Sequence, residues 1–445
     1  MAKAKAETKA EGKVDAKVEA KAKVEAKPEP KAEAKGEAKV ETIAKVDPVA
    51  KAYAPAHRVG MEVSIAVSHA VQLSRAEAIA AYPITPQTHI VEHLSSMVAN
   101  GDLDAEFINV ESEHSAMSAC IGMSASGART YTATSSQGLA LMHEILFIAS
   151  AMRFPIVMTV ANRALSGPLS IWNDHGDIMA ARDIGWIQIF VENGQEAFDH
   201  SVMAFKIAEN PKVLLPTIIN MDGFILSHVV EALEMVGQKT VDNFLPAYVP
   251  RHQLDTKNPV TMGAFAMPEI YTEVKMKHQV TLTNAYEHIM AVWDEWAGLT
   301  GRRYQPVERY RTEDAKVLLL TMGCLSEVAK ISVDEMRDAG VPVGLLRLRM
   351  WRPFPFQDLR EAVGDAELLV VCDRALSLGG PGGPVMSEVR SALYAAAQRP
   401  QILGYIIGLG GRDVAPEAFR EIVDQAQKEV AQGPSQEFHL YGVRG

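Results

Sequence analysis

Two prolines enclose Thr85 in the stretch YPITPQT, residues 82–88, between an apolar run and a segment typical of a helix. Each proline fixes its own φ angle and disfavours helical backbone at the residue before it. The backbone that carries the Thr85 hydroxyl is therefore rigid. A threonine here can cap the following helix, because its hydroxyl accepts backbone N–H groups. It can also present its hydroxyl to a ligand. Local sequence leaves both interpretations open and favours the cap.

A second candidate is the pair Glu111 and Glu113 in VESEHSAMSA, residues 110–119, at a predicted strand-to-helix junction. Acidic residues are common in a first helical turn because the helix dipole favours them, and this accounts for Glu111. Glu113 precedes the small apolar face of Ala116, Ala119 and Cys120. We therefore expect its carboxyl group to enter a dry pocket, where burial raises a carboxyl pKa and allows a neutral hydrogen-bond donor.

A polar segment, residues 161–186, follows an apolar strand and has no apolar periodicity. Arg163 lies just past the strand end, and its planar guanidinium suits a carboxylate partner. Asp174, His175 and Asp177 together suggest a metal, but two carboxylates and one histidine in a loop are weak evidence. Structural hydrogen bonding is the favoured interpretation for these three residues.

The elements that position these residues alternate between strand and helix. A parallel sheet covered by helices is the expected result, and ligands bind beyond the carboxyl ends of such strands. The strand-end positions to inspect are Thr85, 111–115, 135–137 and 162–163. The predicted strands are 76–83, 105–111, 128–136, 155–162 and 217–224, and the predicted helices are 61–74, 88–99, 112–127 and 137–153.

A second α/β unit follows a proline-containing connector, in which a helix is expected near 284–296. Its predicted strands are 315–323, 343–350, 367–374 and 401–408, and its predicted helices are 326–339, one after Pro355, 384–396 and one from Pro416. Glycine clusters at 376–384 and 408–413 match neither the dinucleotide fingerprint nor a P-loop, so tight turns are favoured over an NAD or ATP site. The predicted divisions are 1–57 tail, 58–241 first domain, 242–312 connector and 313–445 second domain.

The totals exclude several classes of protein. The formal net charge of -11 argues against nucleic-acid binding, and 48% hydrophobic with 22% charged residues is typical of a globular protein. The cysteines Cys120, Cys324 and Cys372 are far apart, with no zinc or iron–sulfur spacing, which favours a reducing, cytoplasmic location. We expect no membrane helix, because no apolar run approaches the roughly 18 residues required.

Residues 1–50 contain 13 Ala and 12 Lys, with 10 Asp and Glu. This composition cannot build a core and predicts a disordered or transiently helical tail. The segment lacks the apolar stretch of a signal peptide, and it is too rich in Glu and too poor in Arg for a transit peptide. We expect its removal to leave the folded part intact.

Taken together and in order, several motifs resemble the alpha subunits of pyruvate:ferredoxin oxidoreductases, within the 2-oxoacid:ferredoxin oxidoreductase family. The resemblance extends from about Met61 to the last helix. Its motifs are YPITPQT, VESEHSAMSA, TATSSQGLALMHE, ANRALS, WNDHGDIMAARD, NMDGFILSH and LRLRMWRPFP. It implies a pyrimidine-type thiamine-diphosphate-binding domain followed by a domain like the transketolase C-terminal domain.

The resemblance also implies roles for individual residues. Glu113 would hydrogen-bond a ring nitrogen of the cofactor's aminopyrimidine and promote the imino tautomer that removes the thiazolium proton. Thr85 would donate to the substrate's carboxylate or keto oxygen, and Arg163 would pair with that carboxylate. The cofactor-binding positions implied are Tyr82, Pro83, Ile84, Thr85, Glu113, Ser136 and Gln137.

The family's reaction implies partners as well. No Gly-Asp-Gly motif for the cofactor's diphosphate and Mg²⁺ occurs in the chain, so a beta subunit is expected to hold them. Gamma and delta subunits would carry iron–sulfur clusters or assist assembly, CoA would accept the acyl group, and ferredoxin or flavodoxin would take the electrons. Pyruvate is the expected substrate, with 2-oxoisovalerate, 2-oxoglutarate or a non-catalytic scaffold role as alternatives.

Overall fold

The computed structural model describes residues 57–433 and 436–444. The predicted tail therefore lies outside the described residues, apart from His57. The helices are α1 (Val63–Leu73), α2 (Thr88–Asn100), α3 (Glu113–Ala125), α4 (Ser136–Leu141), α5 (His143–Ala151), α6 (Gly176–Ala180), α7 (Gly194–Ala208), α8 (Gln238–Phe244), α9 (Pro268–Thr300), α10 (Leu325–Asp338), α11 (Phe356–Val363), α12 (Pro384–Leu393) and α13 (Pro416–Gln432). Within the described residues, no helix has the length and apolar content needed to cross a membrane.

The strands form two large sheets and one small antiparallel pair. They are β1 (His57–Glu62), β2 (Ala78–Ala81), β3 (Glu106–Asn109), β4 (Thr130–Thr134), β5 (Val157–Asn162), β6 (Ile187–Phe190), β7 (Thr217–Asp222), β8 (Val230–Met235), β9 (Val307–Tyr310), β10 (Val317–Thr321), β11 (Val343–Leu348), β12 (Met350–Arg352), β13 (Leu368–Asp373), β14 (Gln401–Ile406) and β15 (His439–Leu440).

The first large sheet has the order β12-β6-β7-β5-β4-β2-β3. Its strands are parallel except for β12, which pairs antiparallel with β6. Strands β4, β5 and β7 are buried along their whole length, as expected for a parallel sheet covered on both faces. The carboxyl ends of β2, β4, β5 and β7 therefore share one edge of the sheet.

The second large sheet has the order β15-β14-β13-β10-β11-β9, with β9 antiparallel to β11 and the other pairs parallel. One hydrophobic cluster runs from Met117 and Leu146 beside the first sheet to Leu318 in the second sheet and Met386 in α12. The two sheets thus share a core. The predicted class, an α/β protein built on parallel sheets, is confirmed.

Three predicted elements differ from the observed ones. The helix expected over 137–153 is two helices, α4 and α5, which meet at Met142. The segment expected to be loop over 161–186 contains the short helix α6. The strand expected over 343–350 divides after Leu348, because its last residues turn away as β12 and join the first sheet.

The connector helix α9 is also much longer than expected, at 33 residues. Its buried side chains begin only at Leu282 and then recur at helical spacing, at Ala285, Ile289, Val292 and Trp296. Its first turns are exposed, including their apolar side chains.

Candidate active site at the carboxyl ends of the first sheet

The Thr85 turn connects β2 to α2. Helix α2 is preceded by Gln87, whose side chain makes no capping hydrogen bond, so the interpretation of Thr85 as a helix cap is wrong. The helix begins two residues after Pro86, and the cis Thr85–Pro86 peptide lies within the turn. The Gln87 amide instead donates to the Tyr82 carbonyl oxygen at 2.8 Å and closes the turn.

Thr85 is exposed, as are Tyr82 and Pro83, while Ile84 is half-buried. Among the residues that the structure describes, no hydrogen bond involves the Thr85 hydroxyl. This hydroxyl is therefore available to a ligand, in contrast to a capping hydroxyl, which would be occupied by its own helix.

Arg163 follows β5 and reaches back to this turn. Its Nη1 donates to the Thr85 carbonyl oxygen at 2.8 Å, its Nη2 to Gln137 Oε1 at 3.2 Å and its Nε to the Ser170 carbonyl oxygen at 2.9 Å. The side chain is 6% exposed, and burial lowers the pKa of its guanidinium. One guanidinium thus ties together the segments that follow β2, β4 and β5.

Glu113 is the first residue of α3, which Ser112 caps by accepting the Ser115 N–H at 3.2 Å. The Glu113 side chain is only 7% exposed. A Cβ atom at Gly138 would lie 2.8 Å from Glu113 Oε1, so only glycine leaves room for this carboxyl group against α4. Within the described part of the chain, no hydrogen bond involves that carboxyl group.

Glu111 differs from Glu113 in position, exposure and hydrogen bonding. It lies two residues before α3 rather than in the first turn, is exposed, and accepts a 2.6 Å hydrogen bond from Ser115 Oγ. This hydrogen bond lowers the pKa of Glu111. The structure thus separates one buried carboxyl group from one exposed carboxylate in the same motif.

Ser136 and Gln137 open α4. Ser136 is buried, with a left-handed φ of 45° that non-glycine residues seldom adopt. Its hydroxyl contacts the Ala164 carbonyl oxygen at 2.6 Å and Gln137 Oε1 at 2.7 Å. Ser136 therefore orients Gln137, and its own contact with a cofactor stays a prediction.

The sequence favours structural hydrogen bonding for Asp177, and Asp177 makes such bonds between the strand ends that carry the candidate site. Its carboxylate accepts the backbone N–H groups of Ser136 and Arg163, both at 3.0 Å, and the Asn162 amide at 3.1 Å. Burial raises the pKa of Asp177 to about 6. This residue fixes the ends of β4 and β5 relative to each other, a role that its place in a polar segment after a strand could only suggest.

Asp222, at the end of β7, is a buried junction that sequence reasoning missed. It accepts hydrogen bonds from His175 Nε2 at 2.9 Å, Asn173 Nδ2 at 2.5 Å, Arg374 Nη1 at 3.2 Å and the Cys324 N–H at 2.7 Å. Burial alone would raise its pKa, but the interactions with His175 and Arg374 hold the pKa well below the usual range. The site's polar segment is thereby attached to the second sheet.

The predicted site residues therefore form one connected group. Thr85, Arg163 and Gln137 are joined by hydrogen bonds, and Glu113 packs on Gly138, the neighbour of Gln137. Thr134 Oγ1 lies beside the same glycine and is buried, with no hydrogen-bond partner among the described residues. A buried carboxyl group, an unpartnered hydroxyl and an exposed hydroxyl fit a heteroaromatic cofactor ring with polar edges.

Comparisons with known proteins identify two family models along the chain. Residues 68–294 match the family model described as pyruvate flavodoxin/ferredoxin oxidoreductase, thiamine diphosphate-binding, and residues 315–419 match pyruvate:ferredoxin oxidoreductase core domain II.

Relatives of known name resemble the chain over most of its length. Pyruvate synthase subunit PorA of Pyrococcus abyssi is 44% identical, covering 87% of this chain and 98% of the relative. The PorA subunit of Methanocaldococcus jannaschii is 48% identical, covering 82% and 93%. Ketoisovalerate oxidoreductase subunit VorA of Pyrococcus horikoshii is 43% identical, covering 83% and 93%.

Among solved structures, 2-oxoglutarate:ferredoxin oxidoreductase from Magnetococcus marinus matches with a TM-score of 0.62 at 19% identity, covering 84% of this chain and 65% of that one. This likeness supports the fold. The family models and the PorA and VorA relatives go further, and on their evidence the chain belongs to the pyruvate flavodoxin/ferredoxin oxidoreductase family.

Proposed function

We propose that this chain is the catalytic alpha subunit of a multi-subunit enzyme for CoA-dependent oxidative decarboxylation of pyruvate. Pyruvate and CoA would give acetyl-CoA and carbon dioxide, and two electrons would pass to ferredoxin or flavodoxin; the reverse direction fixes carbon dioxide. One observation carries the proposal. The Arg163 guanidinium hydrogen-bonds both Thr85 and Gln137, and the buried Glu113 lies beside Gln137.

Glu113 is the proposed acid–base residue toward thiamine diphosphate, which supplies the nucleophilic carbon when bound. Its carboxyl group is shielded from water and free of protein partners within the described residues, so it can hydrogen-bond a ring nitrogen and move a proton there. Gly138 leaves the space that this carboxyl group occupies. Tyr82, Pro83, Ile84, Ser136 and Gln137 are the proposed neighbours of the cofactor.

Thr85 and Arg163 are the proposed substrate-binding residues. Thr85 is exposed at the turn, and Arg163 fixes the Thr85 carbonyl group by donating a hydrogen bond to its oxygen. Three of the five guanidinium N–H groups of Arg163 bond within the protein. The remaining two are available to the carboxylate of a 2-oxoacid.

Partner subunits are part of the proposal. A beta subunit would hold the diphosphate and Mg²⁺, and gamma and delta subunits would supply iron–sulfur clusters, because this chain has no Gly-Asp-Gly motif and only scattered cysteines. The segment after Arg163 exposes Leu169, Ile171 and Trp172, with Leu169 73% exposed. Such side chains beside the site support a partner that covers it. A cytoplasmic location fits this assembly.

The divisions 58–241, 242–312 and 313–445 are retained as a proposal for the domain organisation. The first would carry the thiamine site and the last would support assembly.

The substrate is tested with the assembled complex by comparing turnover of pyruvate, 2-oxoisovalerate and 2-oxoglutarate. Pyruvate should have the highest kcat/KM. The VorA relative, at 43% identity, makes a branched-chain 2-oxoacid the second candidate, and a preference for 2-oxoisovalerate would establish it. The isolated chain should bind thiamine diphosphate weakly and show no oxidoreductase activity. Tight Mg²⁺-dependent binding by this chain alone would contradict the proposed division of the site.

A further inference from the structure

Three side chains suited to metal coordination meet beside the site but outside it. Glu62 ends β1, His89 lies in the first turn of α2 and His228 is the last residue of the turn after β7. One potential ligand atom from each lies within 4.8 Å of the others. From this cluster we infer a binding site for a divalent transition-metal ion of the Zn²⁺ type.

The donor set fits such an ion. Two imidazoles and one carboxylate are ligands that Zn²⁺ accepts, and catalytic zinc sites are commonly built from three protein ligands with an open position. With metal–ligand bonds of roughly 2.0–2.2 Å, donors on one tetrahedral ion lie about 3.3 Å apart. The His89 Nδ1 to Glu62 Oε1 distance is 2.6 Å, so small side-chain rotations must separate these two atoms, and break their hydrogen bond, to admit an ion.

The surroundings of His228 hold its ring close to His89. The two imidazole centroids are 4.5 Å apart. The Nδ1 atom of His228 hydrogen-bonds Ser227 Oγ at 2.7 Å, and this hydroxyl also accepts the Phe224 N–H at 2.8 Å. A hydroxyl held in this way is a suitable outer partner for a metal-bound imidazole, because it fixes the ring orientation.

Other acidic or histidine clusters lack this combination. The carboxylates of Glu192, Glu196 and Glu308 also lie close together, but Arg347 forms ion pairs with all three. The rings of His69 and His93 are 5.3 Å apart, and His69 Nδ1 contacts the Gln72 amide oxygen rather than a carboxylate. Within the described residues, only the Glu62 cluster combines two imidazoles with a carboxylate.

The cluster connects elements that also support the Thr85 turn. His89 lies three residues after Pro86, and a Cβ atom at Gly223 would lie 2.5 Å from Pro86 Cγ, so the end of β7 packs directly on the turn. An ion held by Glu62, His89 and His228 would therefore fasten β1, the start of α2 and the turn after β7 to one another. Its expected effect is higher stability of this corner of the fold.

The test is titration of the purified full chain with ZnCl₂ in excess Mg²⁺, followed by calorimetry and by the melting temperature. We expect saturable binding of one Zn²⁺ per chain and a rise in melting temperature, because a ligand that binds only the folded state stabilises it. X-ray absorption of the bound ion should show two imidazole ligands. Residues 1–56 contain no His or Cys, so the tail offers no comparable site.

Variants locate the site. His228→Ala and Glu62→Gln should each weaken Zn²⁺ binding at least tenfold, since even outer-shell changes reach roughly 10–100-fold. His69→Ala is the matched control and should bind as the unaltered chain does. If His228→Ala fails to fold, Glu62→Gln decides alone. Lack of saturable binding by the unaltered chain, or equal affinity in the three variants, would overturn the inference.

Discussion

Arg163 Nη1 donates a 2.8 Å hydrogen bond to the carbonyl oxygen of Thr85, across 78 residues of chain. This bond joins the two proposed substrate-binding residues and fixes the separation between the guanidinium and the Thr85 hydroxyl. The Thr85 turn is thus positioned from the end of β5, with β4 between β5 and β2 in the sheet, and not by its prolines alone.

Replacement of Arg163 by Lys should lower kcat/KM for the 2-oxoacid by about 100-fold, because one ammonium cannot bridge Thr85, Gln137 and Ser170 together and misplacement of about 1 Å has that effect. We expect KM to rise as well as kcat to fall. Steady-state kinetics of the assembled complex measure both. Arg182→Lys, at a 38% exposed side chain in the same polar segment, is the control. Equal kinetics for the two variants would exclude Arg163 from the site.

Replacement of Glu113 by Gln should reduce turnover by roughly 100- to 10,000-fold, the range for general acid–base groups. Glutamine has nearly the same shape, so the fold should persist, but it cannot relay the proton. Exchange of the thiazolium proton followed by NMR, together with turnover, measures the loss. Glu111→Gln is the control at an exposed position two residues away. If the control is the inactive variant, the register of this motif is misassigned.

Replacement of Asp222 by Ala should lower the free energy of unfolding by about 3–5 kcal/mol, because it leaves the buried Arg374 without its carboxylate. Urea unfolding measures this loss. Asp242→Ala removes an exposed ion pair with Arg75 and should cost about 0–1 kcal/mol. The Asp222 pKa is depressed in the fold, so its contribution is fully present above the unfolded pKa of about 3.9 and diminishes as pH falls below it. A loss that persists unchanged at low pH would contradict the ionised state.

Asp177 should affect the pH dependence of the free energy of unfolding in the direction opposite to Asp222, and replacement by Asn should remove this effect. The folded pKa is raised to about 6, so between about pH 4 and 6 the folded state binds more protons than the unfolded state and stability falls as pH rises. The slope approaches about 1.4 kcal/mol per pH unit for this one group. Urea unfolding at several pH values should show a smaller decline in the variant. Parallel profiles would show that Asp177 is ionised throughout.

Much of the candidate site follows from the sequence because parallel strands place their carboxyl ends at one edge. Thr85, Glu113 and Arg163 each lie at a predicted strand end, and the structure connects the segments that carry them. Their functional roles stay predictions. The capping interpretation of Thr85 failed because local sequence does not show where a helix starts after a proline turn. Asp177 could not be assigned to the site, since its partners are backbone N–H groups 14 and 41 residues away.

The long-range features of the fold were the least predictable. The sequence predicts a helix near 284–296, whereas α9 begins at Pro268 with turns that bury no apolar side chain. Asp222 contacts Cys324 and Arg374, 102 and 152 residues distant, and nothing in the sequence around Asp222 indicates those partners. Local periodicity predicts elements, whereas contacts between distant elements depend on packing.

Strand β12 limits how this protein can be recombined with its relatives. It belongs to the chain's later half but completes the first sheet by pairing with β6. A chimera joined at residue 312 would replace that strand with a foreign one, and a fragment ending there would leave β6 as an open edge prone to aggregation. The parts of the chain before and after residue 312 should therefore be taken together from the same relative.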